Sequence, residues 1–149
     1  MPAGTALSCD AVKRIYIDAD GFKPDQWGKV VKQCETKGKE CFLTLPHIFR
    51  THAMKFSLKQ ENLEMQVYRC SDPHLEEVPW LKEENIHIPF ALDASVYAWN
   101  REAVHTLKKM GPEFITMPWE LNSRELKAVA TACEKEDMAD EMIIMGMLL

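Results

Sequence analysis

The chain has 149 residues, 46% hydrophobic and 28% charged, with a formal net charge of −5. That is room for one domain with a proper core, and the balance is that of an ordinary globular protein. No apolar run approaches the ~20 residues of a membrane span, the N-terminus lacks the pattern of a secretory signal, and no Lys/Arg cluster favours nucleic acid or anionic membrane.

Residues 1–12 carry no helix signal and read as a poorly ordered lead-in. Residues 13–149 read as a single α/β domain. The first apolar run is Arg14-Ile-Tyr-Ile-Asp18. After Asp20-Gly21, Pro24 suits a first helical turn, and Trp27, Val30, Val31 and Cys34 form one buried stripe, with Gly38 as the stop. The second run, Glu40 to Leu45, precedes a helix from about His47 to Leu58 with Phe49, Ala53 and Phe56 inward. The third run is Met65-Gln-Val-Tyr-Arg69. Ser71-Asp72-Pro73 then reads as a helix start that Pro79 interrupts, leaving one or two short turns. The fourth run, Ile88 to Asp93, leads to a helix from about Asn100 to Met110, with Ala103, Val104, Leu107 and Met110 inward and Gly111 as the stop. The fifth run is Phe114-Ile-Thr-Met117. Asn122 with Glu125 three residues on reads as a capping box, and Leu126, Val129, Ala130 and Cys133 give that helix its apolar stripe. The sixth run, Met142-Ile-Ile-Met145, reads as a buried strand.

Strand-like runs recurring roughly every 25 residues, with helical periodicity between them, predict a parallel sheet. In such folds ligands bind at the carboxyl ends of the strands. A (β/α)8 barrel needs about 250 residues, so six βα units imply either an open doubly wound sheet or part of a TIM-like barrel. The apolar C-terminal segment points to a boundary inside a larger fold. A barrel opened after six strands has two exposed edges, which predicts self-association through them.

Five cysteines without a C-x-x-C read as reduced core thiols in a cytoplasmic protein. The histidines show no metal-binding spacing, and no G-x-S-x-G marks a serine hydrolase. Six residues near strand ends are the candidates for chemistry. Asp18 is a base or metal ligand, or else orders the Asp20-Gly21 turn. Asp93 and Glu120 stand where barrel enzymes place working groups and are an acid and base pair; Glu120 and Asn122 also suit the start of a helix. Arg69 is a cation for a substrate carboxylate or phosphate, or pairs internally with Asp93 or Asp18. His47 is a base or substrate contact, or a solvated cap. Arg69, His47 and Asn122 form the substrate-binding set.

The stretches Leu45-Pro-His-Ile-Phe-Arg50, Leu92-Asp-Ala-Ser-Val-Tyr-Ala-Trp-Asn100 and Met117-Pro-Trp-Glu-Leu-Asn122, with Glu125-Leu126 behind them, resemble the collagenase-like peptidases, family U32. Tyr16-Ile-Asp-Ala-Asp20 and Ile144-Met-Gly146 fit in order and spacing. The likeness is to the C-terminal barrel region of a long bacterial member. It implies a barrel-type fold, a longer parent protein and a label of peptidase. It also implies the family's other activities, RNA-base hydroxylation and quinone hydroxylation, which use an iron–sulfur cluster held by cysteines. None of Cys9, Cys34, Cys41, Cys70 and Cys133 matches that cysteine pattern, so the chain is expected to carry no cofactor and to be inactive alone. A flavodoxin-like or receiver-like module and a non-catalytic interaction module are the alternatives. Arg69 at the third strand end and the absence of a phosphate loop after the first strand speak against the former.

Overall fold

Every pair of neighbouring strands is parallel, and spatial order follows chain order. The computed structural model describes residues 3–18, 24–45, 70–72, 75 and 77–144. They form α1 (Ala3–Ser8), β1 (Arg14–Asp18), α2 (Pro24–Thr36), β2 (Glu40–Thr44), β3 (Cys70–Asp72), α3 (Glu77–Glu83), β4 (Phe90–Leu92), a 3-10 turn (Ala94–Val96), α4 (Arg101–Lys108), β5 (Phe114–Met117), α5 (Ser123–Lys135) and β6 (Ala139–Met142). The sheet order is β1-β2-β3-β4-β5-β6. This is the singly wound order of a (β/α) barrel, not the reversed order of a doubly wound sheet. The fold is thus α/β with an open, six-stranded, partial TIM-barrel-like sheet.

Three helices return the chain to the sheet by one device. After α2, Gly38 N–H donates to the Glu35 carbonyl and Lys39 N–H to the Cys34 carbonyl, each at 2.9 Å. After α3, Asn85 N–H reaches the Lys82 carbonyl at 3.1 Å and Ile86 N–H the Leu81 carbonyl at 2.8 Å. After α5, Asp137 N–H reaches the Glu134 carbonyl at 3.2 Å and Met138 N–H the Cys133 carbonyl at 3.0 Å. Each is a Schellman motif, and its pivot residue must take left-handed φ. The pivots are Gly38 (φ 63°), Asn85 (φ 57°) and Asp137 (φ 51°), residue types that tolerate this region.

Alternation along the strands divides the apolar side chains into two layers. On the outer, helix-facing side, Ile17, Leu43 and Leu45 pack with Trp27, Val30 and Cys34 of α2 and with Trp80 and Leu81 of α3. Further along the sheet, Leu92, Ile115 and Met117 pack with Val104 and Leu107 of α4 and with Val129, Ala132 and Cys133 of α5. Full burial of each large apolar side chain contributes about 1.5–3 kcal/mol. On the inner side, Phe42, Ala91 and Phe114 form a separate small cluster. Phe42 meets Tyr16 at 5.5 Å and Phe114 edge-on at 5.4 Å between ring centroids, a favoured geometry for aromatic pairs.

The sheet curls. Register places Asp18, Thr44, Ser71 and Ala91 at one level, which continues through Phe114 to Ala139. Glu141, two residues beyond Ala139, nevertheless bonds Arg14, four residues before Asp18. The margins are therefore offset by about six residues, the kind of stagger that curling into a barrel demands.

Four local expectations change. The lead-in contains α1, where no helix signal was read. Ser71 and Asp72 belong to β3 and do not start a helix. Pro79 lies in the first turn of α3, where its missing N–H has no intrahelical partner to lose, so the helix runs through it. The last strand begins at Ala139, three residues before the apolar run, because the motif after α5 delivers the chain to the sheet there. The expected helix over 47–58 and the run 65–69 lie outside the described residues.

Candidate functional site

Polar side chains gather at both ends of the curled sheet, in contrasting ways. At the amino-terminal end, Arg14 Nε donates to Glu40 Oε2 at 2.7 Å, and its Nη1 donates to Glu141 Oε2 at 2.8 Å. The guanidinium lies 4.2 Å from the Phe114 ring centroid and 5.0 Å from that of Phe42. Tyr16 Oη donates to Glu141 Oε1 at 2.6 Å, and Thr116 Oγ1 donates to the same oxygen at 2.9 Å. Glu141 of β6 thus receives three donors, two of them from β1. Burial, then the bond to Glu141, pushes the Tyr16 phenol well above its ordinary value. Burial opposes the charge on Arg14, but hydrogen bonds and charge from Tyr16 and Glu40 outweigh it and raise its pKa. This cluster joins the sheet margins. Sequence reading singled out none of its members, although Arg-Ile-Tyr-Ile-Asp alternates polar and apolar as a strand with a polar inner face does.

The carboxyl end carries the candidates that strand position had marked. Asp18 ends β1 on the same face as Arg14 and Tyr16 and is exposed. Asp93 follows β4. Its Oδ1 accepts from Ser95 N–H and Ser95 Oγ, both at 3.0 Å, and so starts the 3-10 turn. That turn touches β5 and ends at Tyr97, whose φ of 57° is unusual for an aromatic residue. The left-handed conformation costs about 1–2 kcal/mol. It is held by Tyr97 N–H to the Ala94 carbonyl at 3.2 Å and Trp99 N–H to the Tyr97 carbonyl at 2.8 Å. Ala98 is buried in the core, so its neighbours Tyr97 and Trp99 stand outward, with ring centroids 6.0 Å apart.

After β5, Trp119 and Glu120 form an exposed turn between buried Pro118 and Leu121. Asn122 Oδ1 accepts from Arg124 N–H at 3.0 Å and Glu125 N–H at 3.1 Å, and Glu125 Oε2 accepts from Asn122 N–H at 2.9 Å. This is the full capping box, so Asn122 starts α5. The structure therefore brings Asp93, Glu120 and Asn122 to adjacent loops and Asp18 to the same end of the sheet. His47 and Arg69 lie outside the described residues. Tyr97, Trp99 and Trp119 stood in the quoted stretches without a role; isolated aromatic residues in loops carry no periodic signal.

The thiols are built for packing. Burial, and then Cys34 beside it, pushes Cys41 up to about 12. Burial, and then Asp140, pushes Cys133 up to about 11. Thiols so raised are poor nucleophiles and poor ligands at neutral pH. Among the described residues, no group of three or more His, Cys, Asp or Glu side chains is placed to hold a metal ion. A cleft of about 610 Å³ lies between α1 and the C-terminal half of α2, lined by Leu7, Ser8, Lys32, Gln33, Thr36 and Lys37. It is on the amino-terminal side of the sheet, remote from the strand ends, and no acid–base pair or nucleophile converges on it. The strand-end rim is the better candidate on chemical grounds. Among the described residues, no helix is long and apolar enough to cross a membrane.

Comparison with known proteins fits this architecture. The solved structure of citrate synthase SbnG superposes with a TM-score of 0.54 at 10% identity, covering 95% of this chain and 71% of that one; at such identity the likeness concerns the fold alone. No curated protein sequence matches the chain. The model of peptidase family U32 matches residues 9–149. The chain therefore belongs to peptidase family U32.

Proposed function

We propose that this chain supplies part of the substrate pocket of a U32-family peptidase, at the carboxyl ends of its parallel strands. One observation carries the reading: a U32 chain folds into a singly wound sheet whose strand ends bear Asp18, Asp93 and Glu120 on one rim. In parallel α/β folds that rim is where working groups sit. Of Asp93 and Glu120, one carboxylate takes a proton from the attacking water and the other returns one to the leaving amine. Asp18 orients the water. Asn122, with Arg69 and His47, contacts the substrate backbone.

The four cysteines whose side chains are described do not fit an iron–sulfur cluster. Cys9 is exposed, Cys34 and Cys133 are buried and Cys41 is half-buried against Cys34, with no converging set. No step is routed through one; a cluster, in this reading, is held by other parts of a longer parent protein. The reading also has the isolated chain inactive and self-associating, because among the described residues β1 and β6 are the margins of an open sheet. Exposed Met142 at the end of β6 and Ile143 and Ile144 just after it support pairing there. Free thiols raised by burial suit the reducing cytoplasm.

The test is a gelatin-cleavage assay of the full-length parent with Asp93→Asn and Glu120→Gln. The expected result is cleavage by the parent and a loss of about 100-fold or more in each variant, with no cleavage by the 149-residue chain. Full activity in both variants, or hydroxylated RNA without any peptide cleavage, overturns the reading.

A further inference from the structure

We propose that Tyr97, Trp99 and Trp119 form an aromatic shelf, beside Asp93 and Glu120, that receives a basic side chain, arginine or lysine, of a peptide ligand. The inference deepens the reading above and rests on its placement of the site. Large aromatic rings are normally covered, yet Tyr97 is 52%, Trp99 47% and Trp119 61% exposed. All three lie on two successive loops, at the carboxyl ends of β4 and β5.

The loops are built to present them. The Asp93 cap, the two backbone hydrogen bonds about Tyr97 and the buried Ala98 fix one pair of rings. Buried Pro118 and Leu121 fix the turn that carries Trp119. Rings presented to water on a fixed backbone retain their attraction for partners, and no loop has to be ordered on binding.

Charge selects the partner. Each aromatic loop also carries a carboxylate: Asp93 opens the turn that ends at Tyr97, and Glu120 follows Trp119 directly. Asp18 adds another at the same end, on a chain of net charge −5. Sites that stack nucleic-acid bases combine aromatic rings with a positive groove; here the sign is opposite. An aromatic face beside carboxylates suits a guanidinium or ammonium, through cation–π attraction in the field of those negative charges.

The test uses emission from the 149-residue chain. Of its four tryptophans, Trp27 and Trp80 are buried, whereas Trp99 and Trp119 are exposed and report on the shelf. The probes are a short arginine-containing peptide, the same peptide with neutral citrulline, the same with glutamate, and a single-stranded RNA oligonucleotide. Saturable binding of the arginine peptide is expected, about tenfold or more tighter than the citrulline peptide and weakening with salt. Trp99→Leu and Trp119→Leu should each weaken it about fivefold, with Trp119→Phe retaining most of the binding and far-UV circular dichroism unchanged. Equal binding of the citrulline peptide, tighter binding of the RNA, or no saturable change up to about 10 mM peptide overturns the inference. Arginine-selective binding without cleavage by the parent leaves this inference standing and removes the peptidase reading. Cleavage by the parent that ignores substrate charge does the reverse.

Discussion

The two ends of the sheet hold polar residues for opposite purposes. At the amino-terminal end, Arg14, Tyr16, Thr116, Glu40 and Glu141 spend their hydrogen bonds on one another, and the Arg14 guanidinium lies over the rings of Phe42 and Phe114. At the carboxyl end, Asp18, Glu120, Tyr97, Trp99 and Trp119 face water. A satisfied cluster stabilises and specifies; an exposed rim on rigid loops is available for a ligand. The difference shows that polarity inside a curled sheet does not by itself mark a functional site. What separates the two ends is that five polar side chains at the amino-terminal one form a single hydrogen-bonded network, whereas the rim carries exposed aromatic rings.

The largest expected effect is on the amino-terminal side. Phe42→Ala removes the ring between Tyr16 and Phe114 and should destabilise the fold by about 3–5 kcal/mol, measured by chemical denaturation. Glu141→Ala leaves Arg14, Tyr16 and Thr116 without their shared acceptor and should cost about 2 kcal/mol. Asn122→Ala breaks the capping box of α5 and should cost about 1 kcal/mol. Glu120→Gln on the rim should change stability by less than about 0.5 kcal/mol. A rim substitution as damaging to stability as the clasp substitutions would erase the contrast.

The same contrast has a pH signature. The Tyr16 phenol is raised in the folded state by burial and Glu141, so its stabilising contribution is full below the unfolded tyrosine pKa of about 10. It is lost as pH rises from there through the folded value. Wild type should lose stability above pH ~10 more steeply than Tyr16→Phe. Thiol chemistry gives a smaller effect. Exposed Cys9 should react with iodoacetamide at neutral pH well before half-buried Cys41 and buried Cys133, which burial raises to about 12 and 11; comparable rates would mean that those two thiols are open to water.

The parallel rhythm was legible because apolar runs and helical stripes are periodic, and Asn122 with Glu125 announces a helix start through local chemistry alone. The final strand lies earlier than its apolar run because Ala139-Asp-Glu-Met142 is half polar, and two of the three donors to its inward Glu141 come from residues more than a hundred positions earlier. Arg14 and Tyr16 escaped notice for the same reason: their partners are brought close by curvature, which no local pattern encodes. The position of Asp18, Asp93 and Glu120 at or just beyond strand ends was legible because the apolar runs mark where the strands stop. Tyr97, Trp99 and Trp119 were not, since exposure in a loop is decided by what fails to cover it.

The account rests on β1 and β6 being joined through the inside of the sheet. A double-mutant cycle on Tyr16→Phe and Glu141→Gln, read by denaturant unfolding, tests this most directly. A coupling of about 1 kcal/mol is predicted. Strict additivity, within about 0.3 kcal/mol, would contradict the clasp and with it the curled sheet.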